Sequence, residues 1–132
     1  MFSDTANHPL EPDAFGIMQR DLDEYTSVVT VEGELDLSTA PRLKWMLVDA
    51  LQAHHTHLVV DLSQTTFMDS TALGVLVGVN RGLEDDARLA IVCPRPNVLK
   101  IFELSGMDGV FTILPTLEEA VDFARGHAAR AS

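Results

Sequence analysis

Two hydrophobic periods alternate along this chain, and the switches between them mark its elements. Val28-Val29-Thr30-Val31 is β-branched throughout, so Ser27 to Gly33 is predicted as a strand. Phe15 to Leu22 is predicted as its neighbour across the turn Asp23-Glu24-Tyr25-Thr26. Gly33-Glu34-Leu35-Asp36-Leu37 then reads as a loop after a strand end. Leu43, Met46, Leu47, Ala50 and Leu51 recur at i, i+3, i+4, i+7 and i+8, the stripe of a buried helical face. Ser38 or Thr39 caps that helix, and Pro41 is tolerated in its first turn. Leu58-Val59-Val60-Asp61-Leu62 is a short continuous apolar strand of the kind buried in a parallel sheet. Leu89-Ala90-Ile91-Val92-Cys93 is another, stopped by Pro94 and Pro96. Asn97 to Leu104 forms a short helix with Val98, Ile101 and Phe102 inward, and Gly106 is placed for a left-handed cap. Val110 to Leu114 is a last strand. Thr116-Leu117-Glu118-Glu119 is a capping box opening a helix with Leu117, Ala120, Val121 and Ala124 on one face. The order ββαβαβαβα implies one α/β domain, with a mixed, largely parallel β-sheet of about four to five strands and right-handed crossovers.

The stretch from Phe67 to Gly78 organises the rest. It reads as a strand exit, a polar corner and a helix running to about Leu83. Asp69 or Ser70 serves as the N-cap, since a short oxygen side chain accepts from an orphan amide of the first turn. Ser70 and Thr71 place two hydroxyls at a helix start, where free amides and the dipole favour an anion. A hydroxyl there is suited to carry a phosphate. Ala72, Leu73, Val75, Leu76, Val77 and Val79 make the helix apolar nearly all round. Ser70, Gly74 and Gly78 are spaced by four and share one strip. Each helical glycine weakens the helix by about 1 kcal/mol relative to alanine. Such a strip implies a close approach, either by the chain's own sheet or by an outside partner.

Composition narrows the function. The 132 residues are 46% hydrophobic, enough for one real core. A formal charge of -11 argues against nucleic acid or an anionic membrane as partner and favours a basic protein surface. The single cysteine, Cys93, forms no internal disulfide, fits a reducing cytoplasm, and reads as a small hydrophobe ending a buried strand. No signal peptide or membrane span is evident, so a cytoplasmic location is expected. Residues 1–14 read as a loose N-terminal leader, 15–126 as the domain, and 127–132 as a frayed tail.

Val31-Glu32-Gly33-Glu34-Leu35-Asp36, Val59-Val60-Asp61-Leu62-Ser63 and Met68-Asp69-Ser70-Thr71-Ala72-Leu73-Gly74 resemble the motifs of a STAS domain. Ile101 to Met107, followed by Pro115 to Ala120, matches the family's closing third. The likeness runs from about Phe15 to Ala124, and within the family it is to free-standing anti-sigma factor antagonists. The resemblance implies a sheet with helices packed mainly on one side. It implies that Ser70 is the phosphoacceptor, with Thr71 in reserve, for an anti-sigma factor that is itself a GHKL-type serine kinase. The unphosphorylated form would bind that factor and free a sigma factor, and a phosphatase would reset the phosphorylated form. Asp36, Asp69, Ser70, Thr71, Leu73 and Gly74 are the partner-binding positions expected here. The family corner commonly reads D-S-[ST]-G-L-G, and this chain departs from it at Ala72. A competing reading is a STAS subunit of a transporter or lipid-trafficking complex that docks an ATPase without being phosphorylated.

Enzyme chemistry finds little support. Ser70 lacks a G-x-S-x-G elbow and a histidine motif to supply a base, and no phosphate-binding glycine loop is present. No catalytic residue and no cofactor are expected. His54, His55 and His57 cluster after the first long helix, but adjacent histidines diverge and a metal needs converging ligands. Asp36 has a plainer reading as a loop or cap carboxylate. Trp45 falls off the inward stripe and is expected half-buried, and Glu84-Asp85-Asp86 reads as a solvated turn.

Overall fold

A computed structural model describes residues 15–126. The leader and the tail expected from the sequence lie outside them. The elements are β1 (Gly16–Asp21), β2 (Thr26–Leu35), α1 (Ala40–Gln52), β3 (His57–Met68), α2 (Ser70–Arg81), β4 (Arg88–Val92), α3 (Pro96–Ser105), β5 (Thr112–Leu114) and α4 (Leu117–Ala124), with a 3-10 turn at Met107–Gly109.

The five strands lie side by side in sequence order. β1 pairs antiparallel with β2, and every later pairing is parallel. Three parallel crossovers stepping in one direction, each with the usual right hand, must leave their helices on one face. Alternation in the strands follows suit. Val29, Val31, Leu58, Val60, Leu62, Leu89 and Ile91 point into a large core shared with α1, α2 and α3. Val28, Val59, Ala90 and Val92 point to the other face, where Ala120, Val121 and Ala124 of α4 cover them. Phe102 of α3 meets Phe111 edge-on at 5.8 Å, a favoured aromatic geometry that closes the far end of the larger core.

Several sequence expectations need correction. Gly33 to Leu35 is not loop but the end of β2, and β3 runs on to Met68, six residues past the apolar run. The pairing there survives by irregularity. Register shifts fall between Thr30 and Glu32 and between Gly33 and Glu34, and β3 carries the extra residues. Gly33 takes φ 91, open to glycine alone at little strain. Thr65 is buried and its hydroxyl donates to the Val31 carbonyl at 2.9 Å, satisfying a group the shifted ladder leaves over. β5 begins at Thr112, not Val110, which is exposed after the 3-10 turn. Trp45 is 60% exposed, not half-buried, with the Lys44 ammonium 5.5 Å from its ring centre. Gly106 is left-handed at φ 78, and Thr116 accepts from the Glu119 amide at 3.2 Å, both as the sequence predicts.

Candidate functional site

The carboxyl ends of β2 and β3 build the site, the usual place for recognition in an open α/β sheet. In register, Leu35 stands opposite Met68, so the loops that leave the two strands begin together. The Asp69 amide donates to the Leu35 carbonyl at 3.1 Å and ties the corners to one another. Asp69 is the N-cap of α2, with extended backbone and its Oδ1 accepting from the Ala72 amide at 3.0 Å. Ser70 is therefore the first residue of the helix. It is exposed, and its hydroxyl has no hydrogen-bond partner among the described residues. Thr71 is exposed beside it.

Asp36 organises the neighbouring loop. Its Oδ1 accepts from the Ser38 amide at 3.0 Å, the Ser38 hydroxyl at 2.8 Å and the Thr39 amide at 3.3 Å. The Ser38 hydroxyl, with the loop amides and Thr39, holds this carboxyl below the usual aspartate range. Thr39 occupies the cap position of α1 without making the expected side-chain cap. Its hydroxyl instead accepts from the Asp36 amide at 2.8 Å and donates to the Glu34 carbonyl at 2.9 Å. Asp36 thus holds its own loop together, one residue from the strand end that binds Asp69.

Leu73, expected among the partner-binding positions, does not lie on the surface of this corner. It is 8% exposed and belongs to the core. Gly74 and Gly78 do face solvent, and a Cβ built on either meets nothing within 4 Å. The sheet is therefore not what approaches the glycine strip. They line an open groove of about 880 Å3 between α1 and α2, with Thr71, Val75, Lys44 and Val48. Ala72 is fully buried, so the methyl that departs from the common corner motif is absorbed by the core.

Two residues beside the corner were not singled out from sequence. Leu37, next to Asp36, is 71% exposed, and Phe67, two residues before Asp69, is 47% exposed. A leucine between Asp36 and Ser38 in a polar loop was the available signal. Such apolar groups around a polar corner suit a protein contact.

The histidines lie at the other end of β3, which opens at His57 and closes at Met68. Among the described residues no three His, Cys, Asp or Glu side chains converge to hold a metal ion, and no helix is long and apolar enough to cross a membrane. Cys93 is buried, and burial pushes its thiol up to about 11.

The STAS-domain model matches residues 19–120, most of the described chain. The chain belongs to the STAS family. Among its relatives is the anti-sigma-B factor antagonist of Listeria monocytogenes, 31% identical over 102 residues that span 74% of this chain and 84% of the relative. An anti-sigma factor antagonist from Mycobacterium paratuberculosis superposes with a TM-score of 0.80 at 32% identity, covering 86% of this chain and 97% of the other. The Bacillus cell fate determinant SpoIIAA in its phosphorylated form superposes with a TM-score of 0.65 at 28% identity, covering 83% and 100%. The five-stranded sheet with helices mainly on one side is the STAS fold.

Proposed function

We propose that this STAS domain is an anti-sigma factor antagonist switched by phosphorylation of Ser70. The observation that carries the reading is Ser70 itself, an exposed hydroxyl with no hydrogen-bond partner among the described residues, at the first position of a helix capped by Asp69. Unphosphorylated, the corner made by Asp36, Asp69, Ser70, Thr71 and Gly74, with Leu37 and Phe67 around it, docks on a cytoplasmic anti-sigma factor and displaces its sigma factor. That anti-sigma factor is a GHKL-type serine kinase and phosphorylates Ser70, and a phosphatase restores the binding form. Names of the relatives, and the existence of SpoIIAA in a phosphorylated form, support this reading.

Phosphate adds about -1.5 to -2 charges and three acceptor oxygens. The helix amides and dipole accommodate that charge in the free protein. An interface closing over Ser70 must instead desolvate it beside Asp69 and Asp36. Control is therefore electrostatic at the contact. The domain acts by binding, with no catalysis of its own.

Incubation with candidate anti-sigma kinases and ATP, followed by intact mass and site mapping, tests the proposal. One phosphate on Ser70, lost in Ser70→Ala and kept in Thr71→Ala, is the expected result. Recovery of membrane transporter subunits in pull-downs, with no phosphate on Ser70, would replace this reading by that of a transporter-associated STAS subunit.

A further inference from the structure

The seam between α1 and α2 is left open by the residues that α2 turns toward it. Thr71, Gly74, Val75 and Gly78 form that side, and Lys44 and Val48 of α1 stand opposite. A leucine at either glycine would fill the space with the chain's own side chain. Glycine weakens the helix at both positions and returns nothing to the free domain, since a Cβ built on either meets nothing within 4 Å. What bare backbone does permit is the close approach of a second backbone. The groove runs from Thr71 to Gly82, roughly 16 Å at the rise of a helix, or about three turns. Thr71 and Gly74 also belong to the Ser70 corner, so the groove begins where that contact surface does. Its ends differ in charge. Lys44 stands one turn into α1 near the corner, and Glu84, followed by Asp85 and Asp86, lies at the far end, all of them exposed.

We propose that this groove takes a helix of the anti-sigma factor, laid between α1 and α2. That helix turns small or apolar residues to Gly74 and Gly78, a carboxylate toward Lys44, and basic residues toward Glu84-Asp85-Asp86. The assignment rests on the antagonist reading of the Ser70 corner and extends the contact along α2. A helix in a groove is anchored by side chains three and four residues apart, and the half-buried Val48 and Val75 offer apolar walls for such anchors. An open trough leaves much of a small ligand in water, unlike the pockets that enclose one. A formal charge of -11 on each chain opposes a second copy as the occupant. Phosphate on Ser70 would stand at the head of the groove, one residue from Thr71. There it repels the carboxylate that Lys44 attracts, so one modification acts on both parts of the contact.

The probe is the candidate anti-sigma kinase that phosphorylates Ser70, titrated by calorimetry into the unphosphorylated full chain with ADP so that no phosphate is transferred. Gly78→Leu should weaken binding about tenfold or more while melting no lower than wild type, because the added volume is empty in the free domain. Glu84→Gln combined with Asp85→Asn and Asp86→Asn should weaken it about threefold to tenfold, with the loss shrinking at high salt. Amide shifts of the wild-type chain on adding the kinase provide a measurement that needs no variant to fold, and those of Gly74, Gly78 and Gly82 should move. Full affinity in either set of variants, or shifts that stop at the Ser70 corner, overturns the proposal. Weak binding by Ser70→Asp in the same series then leaves the antagonist reading standing. A wild-type dimer that Gly78→Leu dissociates in sedimentation assigns the groove to a second copy and also overturns the proposal. Binding to no candidate kinase removes both.

Discussion

The Asp69 amide donates to the Leu35 carbonyl at 3.1 Å, joining the exits of two parallel strands. That bond sets the distance between the Asp36 loop and the start of α2.

Ser70 variants separate the contact from the fold. Ser70→Ala should bind the anti-sigma partner constitutively and resist phosphorylation. Ser70→Asp, with less charge and bulk than phosphoserine, should bind weakly yet melt close to wild type. An uncompensated charge at an interface costs on the order of 2–5 kcal/mol, roughly thirtyfold to several thousandfold in affinity. Calorimetry with thermal denaturation on the three proteins checks this. Wild-type affinity in Ser70→Asp, or loss of binding through unfolding, contradicts the mechanism.

Removing the cap should loosen the corner. Asp69→Ala leaves the Ala72 amide without its acceptor and should lower stability by about 1 kcal/mol. Asp69→Ser keeps an acceptor and should recover most of that loss in urea unfolding. Phosphorylation of Ser70 should slow in Asp69→Ala, because the helix start that presents the hydroxyl frays.

Two glycines should respond in opposite directions. Gly78 is helical and a Cβ there meets nothing within 4 Å, so Gly78→Ala should stabilise by about 0.5–1 kcal/mol. Gly106 has φ 78, where alanine is strained, so Gly106→Ala should destabilise by about 1–2 kcal/mol. Equal signs in chemical denaturation would contradict the backbone assignments.

Acid should weaken the domain through its tethered carboxylates. The Tyr25 amide, with Thr26 and Arg125, brings the exposed Asp23 down to about 2, and Asp36 is lowered by Ser38 and its loop. Their folded values lie below the unfolded ones, so the stability they add is full above about pH 4. It fades as pH falls toward about 2 for Asp23. Asp23→Asn should flatten the acid limb of a stability profile at low salt by lowering the plateau at neutral pH while leaving stability near pH 2 little changed.

Local chemistry explains which features could be read in advance. The Asp69 cap, the Thr116 capping box and the Gly106 turn depend on residues within a few positions, and all three form. The second half of β3 was hidden because Ser63-Gln64-Thr65-Thr66 breaks the apolar run. Its ladder holds through a positive-φ glycine and a hydroxyl bond from Thr65 to Val31, a residue 34 positions away. Arg95 and Asn97 cover its other edge, bonding to the carbonyls of Ser63 and Thr66 at 3.0 and 2.9 Å. Leu73 and Ala72 could be placed on the helix, but only tertiary packing decides that both turn inward while Ser70 and Gly74 turn out. The exposure of Trp45 is likewise a matter of what lies opposite α1, which its own periodicity does not encode.

Strand order that repeats sequence order also governs how the chain can be made. As synthesis proceeds, every strand after the first emerges beside a partner already present, and no strand waits for a later one to be inserted between neighbours. α1, α2 and α3 close their side of the sheet one crossover at a time. The opposite side has no such schedule. Val28, Val59, Ala90 and Val92 stay bare until α4, the final described element, leaves the ribosome and folds back over them. A nascent chain stalled before Leu117 therefore displays an apolar sheet face, the kind of surface that chaperones engage.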